Sequence, residues 1–204
     1  MSFSIFFPKY DSDKVLDKIS ISFKFGSGIL IVVPLFILDE SNSQFDTPIK
    51  EILSINLAIY LVYYLRLSDS SNQDSLRKSL SQKLNSIFRK NNITLDFLDI
   101  PFKEKNFIAD NLNLDKTIAR NGALLENLFA LFVCINKQIP IFIIGKPGSS
   151  KSLSIQIISN AMRGTTSKNE FFKLYPKLYL NTYQGALNSD SEGVEKIFKK
   201  ARIY

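Results

Sequence analysis

A lysine and a serine, Lys151-Ser152, follow the glycine-bearing stretch Gly145-Lys146-Pro147-Gly148-Ser149-Ser150. Residue types in that order suit phosphate chemistry. Backbone N–H groups of a tight loop, from Lys146 to Ser152, form a concave nest for phosphate oxygens. The positive end of a following helix adds to the attraction. Glycines at 145 and 148 supply backbone angles that a side chain forbids. Pro147 stiffens the turn and has no donor to leave unpaired. The Lys151 ammonium is a point charge for the β- and γ-phosphates, and the Ser152 hydroxyl suits Mg²⁺. The implied ligands are ATP and Mg²⁺. Ser150 departs from the usual G-x-x-x-x-G-K-[ST] pattern, which has glycine before the lysine. Its Cβ sits where backbone and phosphate approach, which is expected to weaken binding.

The loop needs a strand before it and a helix after it. The apolar run Ile139–Ile144 predicts the strand. Residues 150–163 predict the helix, with Leu153, Ile155, Ile157, Ile158, Ala161 and Met162 on its buried side and Gly164 as its stop. Ser167–Glu170 has capping-box spacing for a short helix that Pro176 ends. Leu178–Leu180 reads as a second strand. Ser189–Glu192 repeats the capping-box spacing and opens a last helix reaching about Tyr204. The expected fold is mixed: an α-helical part, then the first βαβ portion of a doubly wound α/β domain.

Upstream, Asp46-Thr47-Pro48 marks a helix start, and residues 48–67 are apolar nearly all round, so that helix should be central. Ser68–Asn72 reads as a polar loop. Asp74–Lys90 carries one stripe, Leu76, Leu80, Leu84, Ile87 and Phe88, expected to pack on one side. Residues 91–114 read as a connection with a short helix, and Asp115 as the cap of a helix running through Asn136. The expected division is a poorly defined leader, 1–46, a helical segment, 47–138, and the P-loop part, 139–204.

At this point the residues resemble a known family. IPIFIIGKPGSSKSL, residues 139–153, is similar to the P-loop of the mysterin-type (RING finger, AAA+) giant E3 ubiquitin ligases, where serine replaces the last glycine. The resemblance continues through IARNGALLENLFALFVCINK (118–137), LSINLAIYLVYYLRL (53–67) with the following RKSL, and EGVEKIFKKAR (192–202). It implies an ATP-binding fragment of one AAA+ module. The implied partners are other AAA+ modules of the same parent chain and protein substrates of a ubiquitin ligase. With one cysteine and no histidine, no zinc-bound RING falls within these residues.

Hydrolysis in P-loop enzymes also needs an acidic strand end for Mg²⁺ and a group that orients water. No apolar run ending in Asp-Glu follows the loop, so turnover is expected to depend on residues outside the 204. Leu35–Glu40, LFILDE, has such a form with Asp39 and Glu40, but it precedes the loop and reads better as an apolar element with a charged end. The alternative is a non-catalytic nucleotide-sensing or protein-interaction module. A small kinase would need an acceptor site and lid after the loop, and none is legible.

Composition narrows the rest. Hydrophobic residues at 45%, with 17 Phe, suffice for a core. The lone Cys134 excludes an internal disulfide and fits a reducing, cytoplasmic setting; within its apolar helix it reads as inert. The net charge of +7 is scattered, its densest groups being Arg77-Lys78, Arg89-Lys90 and Lys196–Arg202. A solvated helix face explains the last, and no nucleic-acid partner is expected. The apolar runs at 29–38 and 57–65 are short of the roughly 20 residues that span a bilayer.

Overall fold

The computed structural model describes residues 2–8, 24–25, 28–29, 47–89, 94–137, 139, 141, 143–184 and 190–201. Asp39, Glu40, Asp46, Lys90, Ser189, Arg202 and Tyr204 lie outside the described residues, and so does the LFILDE reading. The chain falls into two compact units, residues 14–108 and residues 109–204 together with 1–13.

In the 14–108 unit, a short antiparallel pair, β2 (Lys24–Phe25) and β3 (Gly28–Ile29), precedes the helices. Helix α1 (Thr47–Val62) buries Leu53, Leu57, Ala58 and Tyr60, as its apolar composition demands. It is less enclosed than expected, because Ile55 is on the surface. A 3₁₀ turn, Tyr64–Arg66, follows it. Helix α2 (Ser70–Phe88) starts earlier than the predicted Asp74. The physical reason is Asp69, whose carboxylate accepts the Ser71 N–H and caps the helix. Of the predicted stripe, Leu84 and Phe88 are buried and Ile87 is exposed.

Helix α3 (Asp99–Asn111) is longer than the short helix expected there. Its entry is stapled to α2. Arg77 Nε donates to both carboxylate oxygens of Asp96, Ser81 Oγ accepts the Phe97 N–H, and Asn85 accepts the Leu95 N–H. From α1, the buried Asn56 amide donates to the Phe97 carbonyl at 3.0 Å. The bonds from Ser81, Asn85 and Asn56 satisfy backbone groups that no helix or strand provides for.

In the other unit, Asn121 and not Asp115 caps the next helix, α4 (Gly122–Asn136), by accepting the Leu124 N–H. Asp115 instead closes a local turn onto Thr117. Helix α4 buries Leu124, Leu128, Phe129, Leu131, Phe132, Val133 and Ile135. It packs on α5 (Lys151–Ala161). After a 3₁₀ turn (Gly164–Thr166), the short α6 (Glu170–Lys173) is capped by Asn169, not Ser167. Ser167 is buried and accepts the Arg163 N–H. Phe171, Phe172 and Tyr175 surround Phe132 with ring centroids 5.0–5.7 Å apart, which fixes α6 to α4. Helix α7 (Ser191–Ala201) closes the described chain, with Glu192–Lys196 and Glu195–Lys199 pairs on its surface. Those pairs are what a solvated basic face looks like.

The expected βαβ portion is not formed among the described residues. Ile139, Ile141, Ile143 and Ile144 carry no strand ladder, and Ile144 is 93% exposed. The second predicted strand does form, as β4 (Leu178–Gln184), but it pairs antiparallel with β1 (Ser2–Pro8) from Ser2↔Gln184 to Pro8↔Leu178. A strand exists only where a neighbour takes up its N–H and C=O groups. Among the described residues β1 meets that need for β4, while no strand pairs with Ile139, Ile141, Ile143 or Ile144, and the Ile139 N–H turns back to the Cys134 carbonyl.

Asp96 supplies a pH test of the stapled entry to α3. Partial burial works against its charge, but the Arg77 guanidinium, the Leu98 N–H and Ser81 outweigh burial and hold its pKa below the ordinary aspartate value. A depressed carboxylate contributes stability above its unfolded pKa and loses it as pH falls through the folded one. Urea unfolding between pH 7 and pH 2 should therefore show a loss of about 1 kcal/mol or less, as for an exposed pair. Asp96→Asn should remove that part of the pH dependence; an unchanged profile would rule out the staple as its source.

Candidate functional site

The loop is built from two local devices. Lys146-Pro147-Gly148-Ser149 places proline second and a glycine with φ +80° third, and the Ser149 N–H donates back to the Lys146 carbonyl. That is the signature of a type II turn. Ser150 follows at φ 58°, ψ 14°, left-handed, and stands at the N-cap of α5 with no side-chain capping bond. The position where the common pattern has glycine thus takes a glycine-like conformation while carrying a serine. The angular argument holds at Gly148. At Gly145 the requirement is space, since an added Cβ would lie 2.8 Å from Ser149 Oγ.

Lys151 reaches back over the loop. Its ammonium donates to the carbonyls of Gly145 (2.8 Å) and Lys146 (2.7 Å) and to Ser149 Oγ (3.0 Å). Ser149 Oγ in turn donates to the Lys146 carbonyl. All three ammonium donors therefore face acceptors of the loop itself. Ser152 is exposed on the first turn of α5, whose leading N–H groups have no intrahelical acceptor. Lys146, Pro147 and Gly148 are exposed at the rim, and Ser149 and Ser150 are half-buried. The structure thus brings all eight predicted residues, Gly145 to Ser152, into one loop. Its donors are backbone amides, one ammonium and one hydroxyl, a set that fits phosphate oxygens and a hard cation.

Two supporting residues escaped the sequence reading. Asn127, on α4, donates its side-chain amide to the Ser149 carbonyl at 2.9 Å. A polar residue interrupting an apolar helix was its only signal. Ser154, fully buried, donates its hydroxyl to the Lys151 carbonyl and its N–H to the Ser150 carbonyl. The predicted apolar side of α5 is less enclosed than expected: Ile158 and Met162 are buried, while Leu153, Ile155, Ile157 and Ala161 are half-buried. Cys134 is half-buried on α4, and burial pushes its thiol up to about 11. Among the described residues no cluster of His, Cys, Asp and Glu could hold a metal ion, and no helix is long and apolar enough to cross a membrane.

Residues 117–204, from just before α4 through the loop and beyond α7, match the family model of the RNF213 AAA domain. Over 147 residues the chain is 33% identical to the human E3 ubiquitin-protein ligase RNF213, covering 72% of this chain and 3% of that protein. The chain belongs to the mysterin-type, RNF213 family. The zebrafish E3 ubiquitin-protein ligase rnf213-beta is 39% identical over 95 residues, 47% of this chain and 2% of its own length. The mouse RNF213 ligase is 31% identical over 147 residues. The chain spans about 3% of the length of the human and mouse relatives. It is a fragment of an RNF213-type AAA module, and the RNF213 match takes in the whole loop together with Asn127 and Ser154.

The left-handed residue invites substitution. A side chain there costs about 1–2 kcal/mol, offset in part by the smaller entropy a serine loses relative to glycine. Ser150→Gly should therefore leave stability unchanged or raise it by less than about 1 kcal/mol, whereas Ser150→Val should lower it by about 1 kcal/mol or more. Equal melting curves for the two variants would contradict the left-handed assignment. Alkylation of Cys134 by iodoacetamide in the folded chain should stay slow until pH approaches its thiol value of about 11. Rapid labelling at pH 8 without denaturant would refute its burial.

Proposed function

We propose that residues 145–152 bind the triphosphate of ATP together with Mg²⁺, as the nucleotide end of an AAA module inside a much longer mysterin-like ubiquitin ligase. The observation that carries this reading is the paired left-handed geometry of Gly148 and Ser150 with the Lys151 ammonium drawn over the same loop. Turn and cap present consecutive amides to one anion, and the lysine supplies charge where those amides converge. Phosphate oxygens would take over from the Gly145 and Lys146 carbonyls as acceptors of the ammonium. Mg²⁺, when bound, neutralises phosphate charge, and the Ser152 hydroxyl is the residue of this chain that would hold it.

In this reading the run 139–144 becomes a strand when the module's sheet supplies its neighbours, and its exposed Ile144 is then covered. Hydrolysis would draw its acidic and water-orienting groups from outside these 204 residues. The partners would be the other AAA+ modules of the parent chain, and the ligase's protein substrates would be engaged elsewhere in it, in the cytoplasm.

The test is titration of the chain with fluorescent ATP and Mg²⁺, with phosphate release followed in parallel. Binding without turnover is expected. Lys151→Ala should abolish the binding and leave the helical circular dichroism intact; unchanged affinity in that variant would refute the site assignment.

A further inference from the structure

Ser150 holds a conformation that its own side chain does nothing to secure. The backbone angles of one residue are set by the two peptide planes that flank it. Both planes are pinned here. The plane after Ser150 is held by the Ser154 N–H, which donates to the Ser150 carbonyl at 2.9 Å. The plane before it is held by Asn127, whose amide donates to the Ser149 carbonyl at 2.9 Å. No peptide bond among the described residues is cis, so the Ser150 N–H points opposite to that carbonyl, away from α4. The Asn127 bond therefore decides which way a cradle amide faces.

We infer that Asn127 is a positioning residue of the phosphate cradle: from the helix ahead of the loop, its amide orients the Ser149–Ser150 peptide so that the Ser150 N–H is presented to the phosphate. The inference rests on the nucleotide-binding reading above. Two features of Asn127 mark it out. It lies half-buried on α4 between the buried Leu124 and Leu128, where an amide without a fixed partner would be costly. Its bond spans 22 residues of sequence to reach the one carbonyl that controls the left-handed turn. Glycine at position 150 would leave the turn free of side-chain strain; serine makes an external strut worth having.

The experiment compares the full chain with Asn127→Ala, a change that favours the helix and so does not endanger it. Two quantities are read: affinity for fluorescent ATP with Mg²⁺, and amide hydrogen exchange by NMR in nucleotide-free protein. The expected result is a loss of affinity of about tenfold, the scale of one hydrogen bond. Faster exchange at Ser154, whose N–H is bonded to the Ser150 carbonyl, should accompany it, with no change at Ile158 further along α5. Equal affinity in the two proteins overturns the inference and leaves the nucleotide reading standing. A loss of protection at Ile158 along with the loop overturns it too, because Asn127 would then serve helix packing. Failure of the unaltered chain to bind ATP overturns the nucleotide reading, and this inference with it.

Discussion

A left-handed serine at the start of a helix is the constraint on which this site depends. For an L-residue with a side chain that conformation is uphill, so it persists only where the surroundings hold it. At Ser150 the holding is done from both sides, by the Asn127 amide and by the Ser154 N–H. The second support is the opening bond of α5 itself, and the first needs α4 and α5 to lie against one another. The largely apolar surface of α4 secures this, leaving Asn127 as a polar group facing the loop. Packing, turn and cap are thus one arrangement, and a change in the α4–α5 contact would be felt at the Ser150 amide before it was felt at the lysine.

The far end of α5 is fixed by different means. Met162 is buried, and its carbonyl accepts the Leu178 N–H at the start of β4. An isolated bridge between Arg163 and Lys177 adds to that anchor. The aromatic group around Phe132 then ties α4 to the segment between α5 and β4. The helix that carries Lys151 is therefore clamped at its tail by backbone bonds and at its flank by α4. Its head, the loop itself, is the part left exposed at Lys146 to Gly148. A rigid helix with an open leading turn is the form an anion site at a helix N-terminus requires.

The loop and the existence of the helices were legible in the sequence because both are local. Gly148 and Pro147 define their turn within four residues, and the apolar periods of 124–135 and 84–88 follow from helix geometry alone. The helix starts were less so. Asp115, Ser167 and Asp74 have the right chemistry for caps, but Asn121, Asn169 and Asp69 hold those positions. Ser, Asp and Asn cap helices and close local turns by the same hydrogen bonds, so residue type alone does not choose between them. Asp115 went to a turn and Ser167 to the Arg163 amide. Ile139, Ile141, Ile143 and Ile144 form no strand for a non-local reason, since apolar residues do not make a ladder without a neighbouring chain segment. The partner that β4 found is β1, whose distance in sequence no pattern could bridge.

The extent of the RNF213 AAA match bears on what counts as the nucleotide site. It begins at residue 117, ahead of α4, and the longer segment of the compact unit holding the loop begins at 109. A P-loop defined by its motif would begin at Gly145 and leave α4 as scaffold. The Asn127 bond argues for the wider boundary. A cradle made of backbone amides has no side chains of its own with which to tune direction, so direction must come from groups that grip the backbone elsewhere. In this chain serine stands where glycine would have made the turn easy, and the grip then has to be firmer. Helix α4 supplies the most distant part of that grip.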